Sequence, residues 1–106
     1  MKSLSLLAAL LVCFSVQAAG NAERGRDKAA QVCAACHGAQ GKPSDPNQPI
    51  LAGQYYDYLV RALTDYKIGR RNNPIMKGFA AQLSTKDIED LAAWFASQKS
   101  NLHDQR

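Results

Sequence analysis

The sequence predicts an all-α domain. Two observations support this class: apolar residues recur at three- and four-residue spacing in three stretches, and no run has the character of a β-strand. Proline and glycine are concentrated between these stretches, where they favour loops. With 106 residues, the chain is long enough for one domain and no more.

The first predicted helix covers residues 22–36. Asn21 is placed to cap its N-terminus. Gly25 lies inside this helix, where glycine lowers helix stability, so we expect another helix to approach closely there. The apolar stripe of the helix consists of Ala29, Ala30, Val32 and Cys33.

Two further helices follow. The second covers residues 54–67 and ends at Gly69. The last begins at Ser84, where Asp87 stands at the acidic position of a capping box, and it ends near Lys99. The apolar stripe of the last helix consists of Ile88, Leu91, Ala92 and Phe95.

The connecting segments are predicted from their turn-forming residues. Residues 38–49 contain glycine and three prolines without apolar periodicity, which is typical of a loop. Residues 72–74, Asn-Asn-Pro, are expected to form a second loop, and residues 77–82 are expected to form a short helical turn.

The N-terminal stretch has the layout of a secretory signal peptide. Lys2 supplies the positive start, residues 4–16 are almost wholly apolar, and a small residue precedes the expected cleavage after Ala18. The apolar run is too short to span a bilayer. We therefore expect residues 1–18 to be a signal peptide and residues 19–106 to be the mature, exported domain.

The charge of the mature chain is mildly positive. Without Lys2, 12 Lys and Arg residues remain against 9 Asp and Glu residues, which gives a formal charge of +3. No dense basic stripe is present, so the composition does not indicate nucleic-acid binding. No second apolar run reaches membrane length, and the mature domain is therefore expected to be soluble.

The sequence Cys33-Ala-Ala-Cys36-His37 is the motif that carries the chemistry. Positions i and i+3 share one face of a helical turn, so two thiols at this spacing can form thioether bonds to the two vinyl groups of one haem. The adjacent histidine can then bind the iron. A Cys-x-x-Cys-His sequence is typical of covalent haem attachment.

Two other interpretations of the cysteine pair are open. A thioredoxin-type dithiol belongs to a fold of alternating strands and helices, which this sequence does not predict. A structural zinc site would require two more ligands beside the cysteines, and His103 is the one other histidine.

The mature chain resembles class I cytochromes c, especially the small bacterial periplasmic proteins of the c4, c5 and c553 groups. Gly25 stands eight residues before Cys33, as in these proteins, where it packs against an aromatic residue matched here by Trp94. The segments Leu51–Tyr55 and Asn73–Met76 are also similar. The resemblance implies the class I fold, with three main helices and loops wrapped around one covalent haem c.

The resemblance also implies further haem-site residues. Pro49 lies twelve residues after His37, where its carbonyl oxygen would accept a hydrogen bond from the imidazole. Leu51 would pack on the haem. Met76 is the single methionine of the mature chain and would be the second iron ligand, in a loop after Pro74. The resemblance does not identify the haem-carboxylate partners, for which the tyrosines, Arg71 and Asn73 are candidates.

These features predict a periplasmic electron carrier without a catalytic residue. Its partners would be membrane-bound or periplasmic redox proteins with acidic docking surfaces, attracted by basic loop residues near the haem. The carrier is expected to be a monomer or a weak dimer. The alternative function is a haem-bearing subunit of a larger oxidoreductase or a small haem peroxidase.

Overall fold

The computed structural model describes residues 20–100 and Leu102. The predicted signal peptide, residues 1–18, and His103 lie outside the described residues. Within the described part, five α-helices follow one another along the chain: α1 (Ala22–Val32), α2 (Ala34–His37), α3 (Tyr56–Ile68), α4 (Pro74–Ala80) and α5 (Thr85–Ala96). Between residues 20 and 100 the chain contains no strand, and the predicted all-α class is confirmed.

The predicted helix over residues 22–36 is interrupted at Cys33. The φ angle of Cys33, −116°, departs from the helical value of about −63°, so the helix is interrupted at this residue. The ladder resumes where the His37 N–H donates to the Cys33 carbonyl oxygen at 3.0 Å. The predicted cap is confirmed, since the Asn21 side chain accepts a hydrogen bond from the Arg24 N–H.

Helices α1 and α5 pack at very short range around Gly25. A Cβ atom on Gly25 would lie 1.9 Å from the Asp90 carbonyl oxygen and 2.8 Å from Cβ of Trp94. The predicted close approach is therefore confirmed, and its tightest contact is with the α5 backbone. The buried Asp90 carboxylate accepts hydrogen bonds from the Asn21 N–H at 2.7 Å and from Arg24 Nε at 3.0 Å.

Helix α3 begins two residues later than predicted and ends one residue later, at Ile68. Gly69 ends it as expected, in the left-handed conformation with φ 84°, and its N–H donates to the carbonyls of Asp65 and Tyr66. This conformation is accessible to glycine at little cost.

Helix α4 corrects two predictions, because it occupies residues expected to be a loop and it ends before residue 82. The Asn73 side chain accepts a hydrogen bond from the Met76 N–H at 3.0 Å, and Pro74 occupies the first helical position. Proline is favourable there because the first N–H of a helix has no intrahelical partner. Met76 therefore lies in the first turn of a helix, and the prediction that it lies in a loop is wrong.

Helix α5 contains the predicted capping box, with both hydrogen bonds between Ser84 and Asp87 at 3.0 Å. It ends at Ala96, three residues before the predicted end. Its apolar face is the centre of the core, where Leu91 and Phe95 are almost completely buried. The core cluster consists of Ala29, Leu59, Leu83, Ile88, Leu91, Ala92 and Phe95.

The predicted loop after α2 is folded back on itself and onto α5. The N–H groups of Leu51 and Ala52 donate to the Gly41 carbonyl oxygen at 2.9 and 3.0 Å, and the Gly53 N–H donates to the Phe95 carbonyl at 2.9 Å. These bonds fix the position of the segment that follows Pro49. Across residues 20–100 and Leu102, no helix has the length and apolar character needed to cross a membrane.

Candidate functional site

A cleft of about 430 Å³ is lined by residues from all five described helices, with the last turn of α1 (Gln31 and Val32) at its edge. Cys33, Cys36 and His37 border it from the α1–α2 junction, and Met76 borders it from α4. Pro49 and Leu51, from the loop that follows α2, also line the cleft. The fold thus brings together all six residues that the sequence singled out.

His37 is held in one orientation. Its side chain is 8% exposed, and its Nδ1 lies 3.0 Å from the Pro49 carbonyl oxygen. A carbonyl oxygen can only accept, so Nδ1 carries a hydrogen, and in the neutral imidazole Nε2 then keeps its lone pair. The geometry is that of an imidazole prepared to bind a metal through Nε2.

The two cysteines differ in their surroundings. Cys33 is half-buried at the helix break, Cys36 is exposed three residues later, and neither is in a disulfide in the described residues. Burial raises the pKa of the Cys33 thiol to about 11, although the positive charge of Lys28 opposes this shift. The Cys33 sulfur is therefore a neutral thiol at physiological pH, which suits an apolar cleft.

Met76 is half-buried and presents a soft, uncharged thioether to the cleft. Its helix is tied to α3 by Lys67, whose ammonium group donates a hydrogen bond to the Leu83 carbonyl just after α4. Because Leu83 itself is buried in the core, this bond restrains the segment that carries Met76.

The cleft surface suits a large flat apolar group. Leu59, Leu91 and Phe95 contribute buried apolar side chains to its lining. Ile75 and Phe79 also line it, although they are 70% and 47% exposed. Exposed apolar side chains that border one cleft indicate a surface normally covered by a ligand.

The donor set fits haem and does not fit a zinc ion. Two thiols at i and i+3, an imidazole and a thioether around an apolar space match the groups that hold haem c. A structural zinc site needs four ligands. In the described part of the chain, not even three His, Cys, Asp or Glu side chains are arranged to hold a metal ion.

The sequence offered the α3 tyrosines as candidate partners of a haem carboxylate but did not show which of them face the cleft. Tyr58, Ala62 and Tyr66 lie at i, i+4 and i+8 of α3 and all line the cleft. The four-residue spacing was the available signal, and only the packing of α3 against α4 and α5 shows which side of the helix faces the site.

The chain is similar to known cytochromes. The cytochrome c family matches residues 22–99. Cytochrome c4 of Pseudomonas aeruginosa is 47% identical over 98 residues, which cover 92% of this chain and 48% of that protein. Cytochrome c-554(548) of Halomonas halodenitrificans is 40% identical over 84 residues, which cover 76% of this chain and 100% of that protein.

A solved structure shows the same fold. Reduced recombinant cytochrome c4 from Pseudomonas stutzeri superimposes with a TM-score of 0.71 and 46% sequence identity, over 76% of this chain and 47% of that one. This chain therefore spans about half the length of the cytochrome c4 relatives that it matches.

Proposed function

Because this chain belongs to the cytochrome c family, we propose that it is an electron carrier with one haem c bound through Cys33 and Cys36. The observation that supports this most directly is the cleft, where this thiol pair, the His37 imidazole and the Met76 thioether border one apolar space. Haem c, when bound, supplies an iron centre that accepts and returns a single electron.

The Cys33 and Cys36 thiols would hold the haem, each adding across one of its vinyl groups to give a thioether. His37 would bind the iron through Nε2, and the Pro49 carbonyl keeps its ring oriented and would increase its basicity. Met76 would supply a second iron ligand through its thioether sulfur. His/Met ligation raises the reduction potential, and it leaves no open position for a substrate.

The remaining side chains of the site exclude water rather than perform chemistry. Leu51, Leu59 and Phe95 surround the cofactor with apolar contacts, which keeps the reorganisation around it small. No side chain needs to transfer a proton or form a bond with a substrate. The chain acts accordingly as a carrier and not as an enzyme.

The partners are redox proteins, and the mature chain meets them in the periplasm after removal of residues 1–18. Arg70 and Lys77 are exposed basic residues next in sequence to the cleft residues Arg71 and Met76, and they favour an acidic docking surface on the partner. Weak, electrostatically steered contact allows rapid association and release. The carrier functions as a monomer or a weak dimer.

The test is optical spectroscopy of the purified, exported chain. A pyridine haemochrome assay should give one haem per chain that acid–acetone does not extract, and the ferric protein should show the far-red band of a Met–iron bond. The ferrous protein should not bind carbon monoxide. A colourless protein would exclude the proposal, and rapid carbon monoxide binding would favour a small peroxidase instead.

A further inference from the structure

We infer that Arg71, held between Tyr58 and Tyr66, is the counter-charge that binds a carboxylate group of the haem and raises the reduction potential of the carrier. This inference rests on the proposed function and extends it. It assigns a carboxylate partner, which the sequence left open among several polar residues.

The first observation is the charge distribution in the cleft. Among its lining residues in the described chain, Arg71 is the one Lys, Arg, Asp or Glu side chain, and its guanidinium is charged at every physiological pH. The remaining polar lining residues are uncharged: Gln31, Gln48, Gln54, Tyr58, Tyr66 and Asn73. A single cation at the edge of an apolar cleft is complementary to an amphipathic ligand with an acidic edge.

The second observation is that Arg71 is held in place. Its Cζ atom lies 4.7 Å from the centroid of the Tyr66 ring, which is a cation–π contact. A hydrogen bond with the Tyr58 side chain raises the pKa of Arg71 above its ordinary value. The backbone also contributes, because the Arg71 N–H donates to the Asp65 carbonyl at 3.2 Å and turns the chain back toward α3.

This arrangement leaves donors for a carboxylate. A guanidinium group has five N–H donors and no acceptor, so Tyr58 must accept the bond between them. The hydroxyl hydrogen of Tyr58 then remains able to donate elsewhere. Arg71 and Tyr58 therefore form a pair of donors at the cleft edge, and a guanidinium binds a carboxylate with two parallel bonds.

No protein carboxylate neutralises this cation at ion-pair distance. The ion pairs among residues 20–100 are Arg24–Asp90, Arg26–Asp27 and Lys28–Asp87, and all of them involve α1. Asp65 of α3 contributes a weaker, longer-range attraction to Arg71. Lys77 of α4 lies beside the turn that ends α3 and adds positive charge there.

The expected effect is on the redox equilibrium. A free carboxylate close to the iron stabilises the ferric state, which is one unit more positive than the ferrous state. Arg71 offsets that charge and so favours reduction. It acts as a positioning and electrostatic residue and forms no bond to the iron.

The test is spectroelectrochemical titration of the haem-loaded protein and its variants from about pH 5 to pH 8. For Arg71→Gln we expect the equilibrium constant for reduction at pH 7 to fall by about tenfold, which is about 59 mV for one electron. We also expect its potential to fall as pH rises, because a carboxylate without its counter-charge protonates at higher pH. The wild type should be nearly independent of pH in this range.

Two further variants keep the test decisive. Arg61→Gln removes the same charge from an exposed position of α3 that does not line the cleft, and it should change the equilibrium constant by less than about twofold. Tyr58→Phe retains the ring and removes the hydroxyl, so it should lower the potential less than Arg71→Gln does.

Each outcome has a defined meaning. If Arg71→Gln and Arg61→Gln share one potential and one pH profile, the inference is wrong while the proposed function stands. If Arg71→Gln fails to retain haem, Tyr58→Phe decides, and a wild-type potential and pH profile in Tyr58→Phe overturn the inference. A wild-type protein that does not cycle reversibly would reject the proposed function as well.

Discussion

The imidazole Nδ1 of His37 and the carbonyl oxygen of Pro49 lie 3.0 Å apart, across twelve residues of chain. The hydrogen bond between them joins the short helix α2 to the far end of a loop that contains no helix or strand. The loop is therefore the structural element that determines the direction of the His37 lone pair. Mutations that disturb the loop should alter the iron site without changing any ligand.

Gly41 is the position where this can be tested. Its φ angle is 77°, and a Cβ atom there would lie 2.6 Å from the Ala52 nitrogen and 2.8 Å from Cδ1 of Phe95. We expect Gly41→Ala to lower the free energy of unfolding by about 1–3 kcal/mol. Guanidinium denaturation followed by the Soret band would measure this loss, and the ferrous protein should bind carbon monoxide faster than wild type.

Gly78 provides the control for that experiment. It lies within α4 with no atom within 4 Å of an added Cβ, and its φ is not in the left-handed region. Gly78→Ala should leave carbon monoxide binding unchanged and stabilise the protein by up to about 1 kcal/mol, since alanine favours a helix interior. Equal losses in both variants would show that the Gly41 turn has no special role.

Met76→Ala should lower the reduction potential and open the iron to external ligands. As an iron ligand, the Met76 thioether would favour the ferrous state, and alanine could not replace it. The far-red band of the ferric protein should disappear, and the ferrous protein should bind carbon monoxide stoichiometrically. An unchanged potential together with unchanged ligand binding would show that Met76 is the wrong assignment.

Gly25→Ala should destabilise the protein by about 2–3 kcal/mol. The added Cβ would lie 1.9 Å from the Asp90 carbonyl oxygen, and a backbone atom in a packed helix cannot move aside cheaply. Helices α1 and α5 would have to separate. Thermal denaturation would measure the loss, and a stability equal to wild type would contradict the packing described here.

Acid should weaken the link between α1 and α5. Burial raises the pKa of the Asp90 carboxyl, but the hydrogen bonds from Arg24 and the Asn21 N–H lower it by more. The pKa of Asp90 therefore lies below its ordinary value. A carboxyl with a lowered pKa in the folded state stabilises the protein above its unfolded pKa of about 3.9, and that contribution is lost as pH falls through the folded value. Stability should therefore decline below about pH 4.

Asp90→Asn is the variant that tests this origin of the acid sensitivity. It should cost about 1–3 kcal/mol at pH 7, because the Arg24 guanidinium loses its charged partner, and it should reduce the decline in acid. Asp27→Asn, in the exposed pair with Arg26, should change stability by less than about 0.5 kcal/mol. Denaturation curves at several pH values would compare the two, and identical pH profiles would refute the role of Asp90.

The helix boundaries show which local signals were sufficient. Asn21, Ser84 and Gly69 act as predicted, because a cap or a left-handed glycine depends on a few neighbouring residues. The break at Cys33 and the start of α4 were not predicted. An apolar stripe continues through Cys33 in the sequence, and Pro74 preceded by Asn73 is compatible with either a loop or a helix start.

By itself, the sequence determined the all-α class, the Cys33-Ala-Ala-Cys36-His37 motif and the spacing to Pro49, because these are properties of periodicity and order along the chain. Only the tertiary structure decided that Met76 borders the cleft from a helix. It also decided that Arg71, beside Tyr58, supplies a positive charge to the cleft. Which side chains face one cleft depends on how α3, α4 and α5 pack, and that packing is a long-range balance of shape and burial that no local pattern encodes.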